Sequence, residues 1–256
     1  MTPVALRLDG QAAIVTGASS GLGIIIANGL AAQGCALVLA ARRRDRLTEV
    51  ANAIIDSGGR AVILDCDVRD PRHAQRLVDT CVSAFGRLDG VVANAGIAGG
   101  GPAETEDPSR FADVLSVNVG AVANLAGTCA RHMICLDGGW MIFQSSILGH
   151  RAGTGPGVAA YTASKGAIEQ LTRELARQWA PHDIRVNAIS PGYFPTDMNA
   201  AMVAAPGRLE AILARIPLGR AGTPEDLVGV VAFLASEAAR YVTGQVLCVD
   251  GGMSVW

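Results

Sequence analysis

The sequence predicts an α/β protein in which a doubly wound, seven-stranded parallel sheet carries helices on both faces. Three observations lead there. From residue 12 onward, short apolar runs alternate with longer stretches that repeat at helical spacing. The short runs are apolar throughout rather than at every second position, as strands covered on both faces must be. A glycine-rich stretch, Thr16-Gly17-Ala18-Ser19-Ser20-Gly21-Leu22-Gly23, also follows the first run directly and opens a helix, the strand-turn-helix order of a parallel sheet.

The strands are expected at residues 12–16, 36–41, 61–64, 90–93, 140–143, 185–189 and 246–249. A helix to about Gln33 follows the first, and one through Leu47, Val50 and Ile54 follows the second. Pro71 suits the first turn of a helix ending near Phe85. Pro108 begins another, with Phe111, Leu115, Val122, Leu125 and Cys129 as its apolar stripe. Ile168, Leu171, Leu175 and Trp179 mark the helix after strand five. With 256 residues and no internal repeat or linker, one domain spanning 1–256 is expected.

Half of the residues are hydrophobic and 17% are charged, with a net charge of −2. No long run of one sign exists to attract nucleic acid or an anionic membrane; Arg42-Arg43-Arg44 is the only basic cluster. The six cysteines lack CxxC spacing and read as reduced core residues, and the four histidines are scattered, so no metal site is implied. No signal pattern and no apolar run approaching 18 residues is evident, which predicts a cytoplasmic protein.

In a doubly wound sheet, ligands sit beyond the carboxyl ends of the strands. The glycine turn lets a backbone approach a pyrophosphate at a helix N-terminus; alone, it also fits a purely structural turn. Its Gly17-Ala18-Ser19-Ser20-Gly21 further satisfies the G-x-S-x-G pattern of a hydrolase with Ser19 as nucleophile, although no histidine follows His182 to complete a triad. After strand two come Arg42 and Arg43, suited to a ribose 2′-phosphate; this favours NADP(H) over NAD(H). Asp67 and Val68 follow strand three, where a carboxylate can meet an adenine amino group, and Asn94-Ala95-Gly96 follows strand four. Asn118 falls on an apolar stripe, so its amide must either tie core elements together or hold a water.

Strand five delivers Ser145-Ser146, and fifteen residues after Ser146 comes Tyr161-Thr-Ala-Ser-Lys165. On a helix, residues 161 and 165 share a face. At roughly 6 Å and an effective dielectric of about 20, the ammonium favours the phenolate by about 3 kcal/mol, on the order of two pKa units. Tyr161 is thereby a candidate general acid and base.

In combination, T-G-x-x-x-G-x-G, N-A-G, the Asn118 helix, the serine after strand five and Y-x-x-x-K closely resemble the short-chain dehydrogenase/reductase family over nearly the whole chain. The resemblance implies a Rossmann-type fold, proton transfer by Tyr161, and Lys165 lowering its pKa while binding the nicotinamide ribose. It implies substrate polarisation by Ser146, preferred to Ser145 because two apolar residues and a glycine follow, and a relay water at Asn118. Gly17, Ser19, Ser20, Gly21, Leu22 and Gly23 would hold the cofactor, and Pro191, Gly192, Phe194 and Thr196 would hold its carboxamide. Ile24-Ile25-Ile26 and the longer 147–160 loop, with His150 and Arg151, depart from the common pattern.

The tail motifs Ile216-Pro-Leu-Gly-Arg220, Tyr241-Val-Thr-Gly-Gln245 and Val249-Asp-Gly-Gly252 are similar to the polyol and sugar-acid branch, including gluconate 5-dehydrogenases. That likeness implies a homotetramer acting on a small carbonyl or secondary alcohol. Residues 194–220, with Met198, Met202, Leu209, Ile212 and Leu213, form either a substrate lid or a surface helix pair. A nucleotide-binding regulator that has lost turnover is the competing reading, but it would not need the full Asn118, Ser146, Tyr161 and Lys165 set.

Overall fold

The computed structural model describes residues 6–99, 101–136, 138–153 and 157–255. Runs rich in Val, Ile, Leu and Ala form β1 (Ala12–Thr16), β2 (Ala36–Ala41), β3 (Ala61–Asp65), β4 (Gly90–Ala93), β5 (Gly139–Gln144), β6 (Ile184–Pro191) and β7 (Val246–Val249). All are parallel in one sheet of order β3-β2-β1-β4-β5-β6-β7. The chain starts in the middle, builds outward to β3, then returns beside β1 and builds the other way. The reversal between β1 and β4 leaves a crevice at their carboxyl ends.

Helices α1 (Gly21–Ala32), α2 (Arg44–Asp56), α3 (Arg72–Phe85), α4 (Pro108–Leu115), α5 (Ala121–Met133), α6 (Ala159–Trp179), α7 (Asp197–Val203), α8 (Arg208–Leu213) and α9 (Pro224–Ala235) complete the chain. One face of the sheet packs Ile14, Val38 and Phe143 against Leu77 of α3, Leu125 of α5 and Ile168 of α6. The other packs Val15, Leu37 and Ile142 against Leu30 of α1, Leu47 of α2 and Leu227 of α9. Gly29 permits the close approach of α1 and α9, since a β-carbon there would meet Val228 at 2.6 Å. The central strands are therefore apolar because both of their faces are covered.

The expected elements form, with three differences. β5 and β6 are longer than their apolar runs, because backbone pairing continues through Gln144 and Pro191. The edge strand β3 is only half-buried. The helix from Pro108 is interrupted by a π-turn at Ser116–Gly120 that carries Asn118. The helical run Pro108–Leu136 has a mean hydropathy of 1.2 over its best 18-residue window, long and apolar enough to span a membrane by composition, although no uninterrupted apolar run of that length occurs in it. Its apolar stripe, including Val122, Leu125, Cys129 and Met133, is instead buried against the sheet.

Candidate active site

A cleft of about 480 Å³ opens at the β1/β4 crevice. Its floor is the turn from β1 into α1. Gly17 and Gly21 have φ of +69° and +51°, a backbone that strains a side chain. At Gly23 a β-carbon would collide with the Gly17 carbonyl, so the helix can start this close to the strand only without one. Thr16, to which the sequence reading gave no role, locks the turn from beneath. Its hydroxyl accepts from the N–H groups of Asn94 and Ala95, each at 3.1 Å. Asn94 Nδ2 in turn donates to Thr16 O at 2.9 Å. The Asn94 side chain thus staples β4 to the turn, while Ala95 and Gly96 line the cleft beside it.

No side chain caps α1 at Ser20 and no carboxylate sits in its first turn. Its first N–H groups and positive dipole end are left for an anion such as a pyrophosphate. Leu22 lines the cleft next to them. Arg43 folds back over the turn, donating to Ser19 O at 3.2 Å and Ser19 Oγ at 3.3 Å. The hydrolase reading of Ser19 gains no support, because among the described residues its hydroxyl meets only the Arg43 guanidinium, which is not a base. Arg44 pairs with Asp65 at 2.7 Å. Arg42 enters none of these pairs and stands exposed in the cleft wall.

Across the wall, Arg69 grips Asp67 at 2.6 Å and reaches Asp113 at 3.2 Å. Hydrogen bonds from Arg69 hold the Asp67 carboxyl down at about 2, so it is an acceptor at any ordinary pH. Val68 follows it in the wall. Neither Arg69 nor its clamp was foreseen, since the spacing D-x-R is unremarkable in a loop.

At the other end of the cleft, α6 presents Tyr161 and Lys165 one turn apart, with the ammonium 5.4 Å from the ring centroid. Lys165 is 3% exposed, and its Nζ donates to Gln144 O at 2.7 Å. Burial lowers its pKa to about 8. The Tyr161 phenol is shifted upward by burial, opposed by a hydrogen bond with Ser146. This corrects the sequence expectation that Lys165 makes the phenol more acidic. The Coulomb argument took the ammonium's attraction and omitted the loss of water around both groups. Gln144 Oε1 is buried in the cleft lining without a partner among the described residues, an acceptor suited to a polar ligand.

The two serines after β5 separate cleanly. Ser146 faces Tyr161, and its Oγ also accepts from Leu148 N at 3.2 Å. Ser145 donates to Lys165 O and Glu169 Oε1, each at 3.2 Å, beneath α6. Asn118 is 1% exposed. Its Oδ1 accepts from Ile97 N at 2.8 Å, and its Nδ2 donates to Ile97 O and Ser164 Oγ, each at 3.0 Å. The amide donors are therefore spent on protein, and the side chain is a clasp between the β4 loop and α6. Beyond β6, Pro191, Gly192, Phe194 and Thr196 line the cleft. Asn199, unforeseen, shapes that turn by donating to Phe194 O at 2.6 Å and accepting from Thr196 N at 2.9 Å.

The cleft thus offers anion-binding N–H groups at one end and a hydroxyl pair beside a buried amine at the other. Residues 17–254 match the family model described as enoyl-(acyl carrier protein) reductase. The chain is 37% identical to gluconate 5-dehydrogenase of Gluconobacter oxydans (strain 621H), over 99% of this chain and 98% of that one. It superposes on a short-chain type dehydrogenase/reductase from Mycobacterium marinum with a TM-score of 0.93 and 36% identity, covering 97% of each chain. A gluconate 5-dehydrogenase from Burkholderia cenocepacia J2315, in complex with NADP and tartrate, gives a TM-score of 0.93 and 35% identity over 98% of each.

Proposed function

The chain belongs to the short-chain dehydrogenase/reductase family, and from that premise we propose that it interconverts a secondary alcohol and a ketone on a sugar acid or polyol, with NADP(H) preferred. That it is a nicotinamide-dependent oxidoreductase of CH–OH and C=O groups follows from the family. The single observation behind the finer reading is the meeting of Tyr161, Ser146 and Lys165 at one end of a cleft whose other end suits a dinucleotide.

The cofactor, when bound, supplies or accepts the hydride. In this reading the N–H groups at Gly21 to Gly23, with Ser19 and Ser20, hold its pyrophosphate, and Arg42 meets the 2′-phosphate with Arg43 bracing the turn. Asp67 and Val68 flank the adenine, Ala95 and Gly96 the ribose, and the Pro191 to Thr196 turn the carboxamide. Ser146 donates to the substrate oxygen and Tyr161 moves its proton. Lys165, with Gln144 O holding its Nζ, exchanges that proton onward. A relay water belongs at the π-turn that carries Asn118 rather than on its amide donors, which are already bonded to Ile97 O and Ser164 Oγ.

Met198 stands 59% exposed on α7 and lines the cleft, which supports residues 194–220 as a substrate lid. Leu209 on α8 is also exposed, while the Met202 side chain lies outside the described residues. Exposed Leu218 and Tyr241 support a homotetramer, and the proposed compartment is the cytoplasm.

The test is a panel of sugar acids, polyols and simple secondary alcohols, each incubated with NADP+ or NAD+ while reduced nicotinamide is followed by absorbance. At least one sugar acid should turn over, with kcat/KM favouring NADP+ by about tenfold or more, the worth of one charge-assisted contact. Turnover confined to simple alcohols would overturn the substrate reading, and a preference for NAD+ the cofactor reading.

A further inference from the structure

Of the 21 lysine and arginine residues in the chain, Lys165 is the sole lysine. Every other basic side chain is a guanidinium, which holds its proton at any ordinary pH and is no nucleophile. The chain's one side-chain amine therefore stands where the reaction proposed above brings carbonyl compounds. An amine and a carbonyl can do more together than exchange a proton, because an unprotonated amine condenses with an aldehyde to an imine.

The amine is reachable, unprotonated in part, and next to an acid. Only 3% of Lys165 is exposed, but the residue lines the cleft, so a reagent arrives through the cleft and not from the outer surface. Gly96, also in that lining, leaves the approach open: a β-carbon there would lie 3.7 Å from Lys165 Nζ. The one hydrogen bond of Nζ among the described residues is to Gln144 O at 2.7 Å. No carboxylate pairs with it, so nothing offsets the burial that brings its pKa to about 8. Desolvated lysines are the ones that form Schiff bases. The Tyr161 ring centroid is 5.4 Å from Nζ, and burial keeps the proton on its phenol, ready for a departing hydroxyl.

The cleft also selects by charge. Its lining carries five cations against three carboxylates. Arg69 is spent on Asp67 and Asp113, whereas Arg42 is exposed and outside those pairs. A ligand that bears a phosphate or carboxylate is drawn in ahead of a neutral one.

We propose that Lys165 is a carbonyl-capture site, which in the open cleft condenses with small anionic aldehydes to a reversible imine. The Nζ lone pair attacks the aldehyde carbon, the carbonyl oxygen takes the Tyr161 proton, and nitrogen returns one to the phenolate, giving a carbinolamine. The same phenol then protonates the hydroxyl, which leaves as water while C=N forms and the remaining nitrogen proton goes back to Tyr161. Nothing is oxidised or reduced, and water reverses the step. Because the adduct occupies the cleft, aldehyde and cofactor exclude one another; that consequence rests on the cofactor reading above.

The experiment treats the whole folded protein with pyridoxal 5′-phosphate, an aldehyde that carries a phosphate. Sodium borohydride then fixes any imine as a secondary amine, and peptide mass spectrometry locates it. Lys165 should carry the adduct, and inorganic pyrophosphate should slow its formation relative to chloride at equal ionic strength. With NADP+ at about 100 times its Kd only about one cleft in a hundred is open, so labelling should slow about tenfold or more. Lys165→Arg keeps the charge and should take no adduct, with a thermal melt verifying its fold. If that variant does not fold, the parent with and without the two competitors decides. A label confined to the chain's terminal amine, a rate unchanged by pyrophosphate or by bound NADP+, or an equally labelled, folded Lys165→Arg protein would each overturn the proposal. Binding of NADP+ to the untreated protein is read separately by its thermal shift. An unlabelled Lys165 in a protein that NADP+ does shift would sink the capture site alone, and a labelled Lys165 in a protein that NADP+ does not shift would uphold it and sink the cofactor reading.

Discussion

Two groups that lose water on folding set the chemistry at the scale of single residues. Tyr161 is pushed up and Lys165 down to about 8, so near neutrality the phenol keeps its proton and the amine can part with one. Tyr161→Phe should therefore lower kcat by about 10²-fold or more in steady-state assays while the protein still melts as the parent does. The sign for Lys165 follows from the depressed value. Below about 8 it carries the proton that ketone reduction consumes, and above about 8 it can accept the one that alcohol oxidation releases. Reduction should fall, and oxidation rise, as pH increases through about 8, measured as kcat in both directions; flat profiles across that window would exclude Lys165 from the relay. Folded protein also binds fewer protons here than unfolded chain between about 8 and the ordinary lysine value, so this residue makes stability rise with pH in that window. The identity of the pair was legible in the sequence because Y-x-x-x-K puts both on one helical face. The direction of the phenol shift was not, because it depends on how tightly α6 and the loop after β5, which carries Ser146, close over the side chain.

Among the elements, the π-turn is the one that sequence periodicity misses. Phe111, Leu115, Val122 and Leu125 keep a helix-like stripe on either side of it, and one extra residue in a turn barely disturbs such spacing. What it achieves is to bring Asn118 inward, where three hydrogen bonds join Ile97 to Ser164. The polar residue on an apolar stripe was the visible signal, and its two possible roles could be separated only once its partners were known. Asn118→Ala would leave the Ile97 N–H and C=O and the Ser164 hydroxyl short of partners. At about 1 kcal/mol for each lost bond, a fall in unfolding free energy of about 2 to 4 kcal/mol is expected from urea denaturation, with kcat reduced as the α6 register loosens. A variant as stable as the parent would show that the clasp is dispensable. The strand-to-helix turn, in contrast, was legible almost completely. Glycine is the residue type that φ above zero and a helix pressed against a carbonyl demand, so Gly17, Gly21 and Gly23 announce their geometry.

For the molecule as a whole, the seven strands could be read within one or two residues, but their order could not. Apolar runs such as 90–93 and 140–143 resemble one another, and nothing in them says which neighbour each will take. The order comes from packing: right-handed crossovers first cover one face, then the other, and the reversal between β1 and β4 makes the cleft. The cleft joins parts of the chain from Gly17 to Thr196, so a ligand that fills it ties the two halves of the sheet together and must stabilise the entire fold. At a free concentration about 100 times its Kd, a cofactor adds about 2.7 kcal/mol, which for a chain of this length raises Tm by about 5 to 10 °C. NADP+ should produce that rise at a concentration where NAD+ produces a clearly smaller one, because only the 2′-phosphate engages Arg42. Arg42→Ala should then lower the NADP+ shift by about 3 to 5 °C, the equivalent of a tenfold loss of affinity, and leave the NAD+ shift unchanged. Equal shifts from the two cofactors in the parent, or an Arg42→Ala protein that still separates them, would mean that the arginine at the end of β2 does not choose the cofactor.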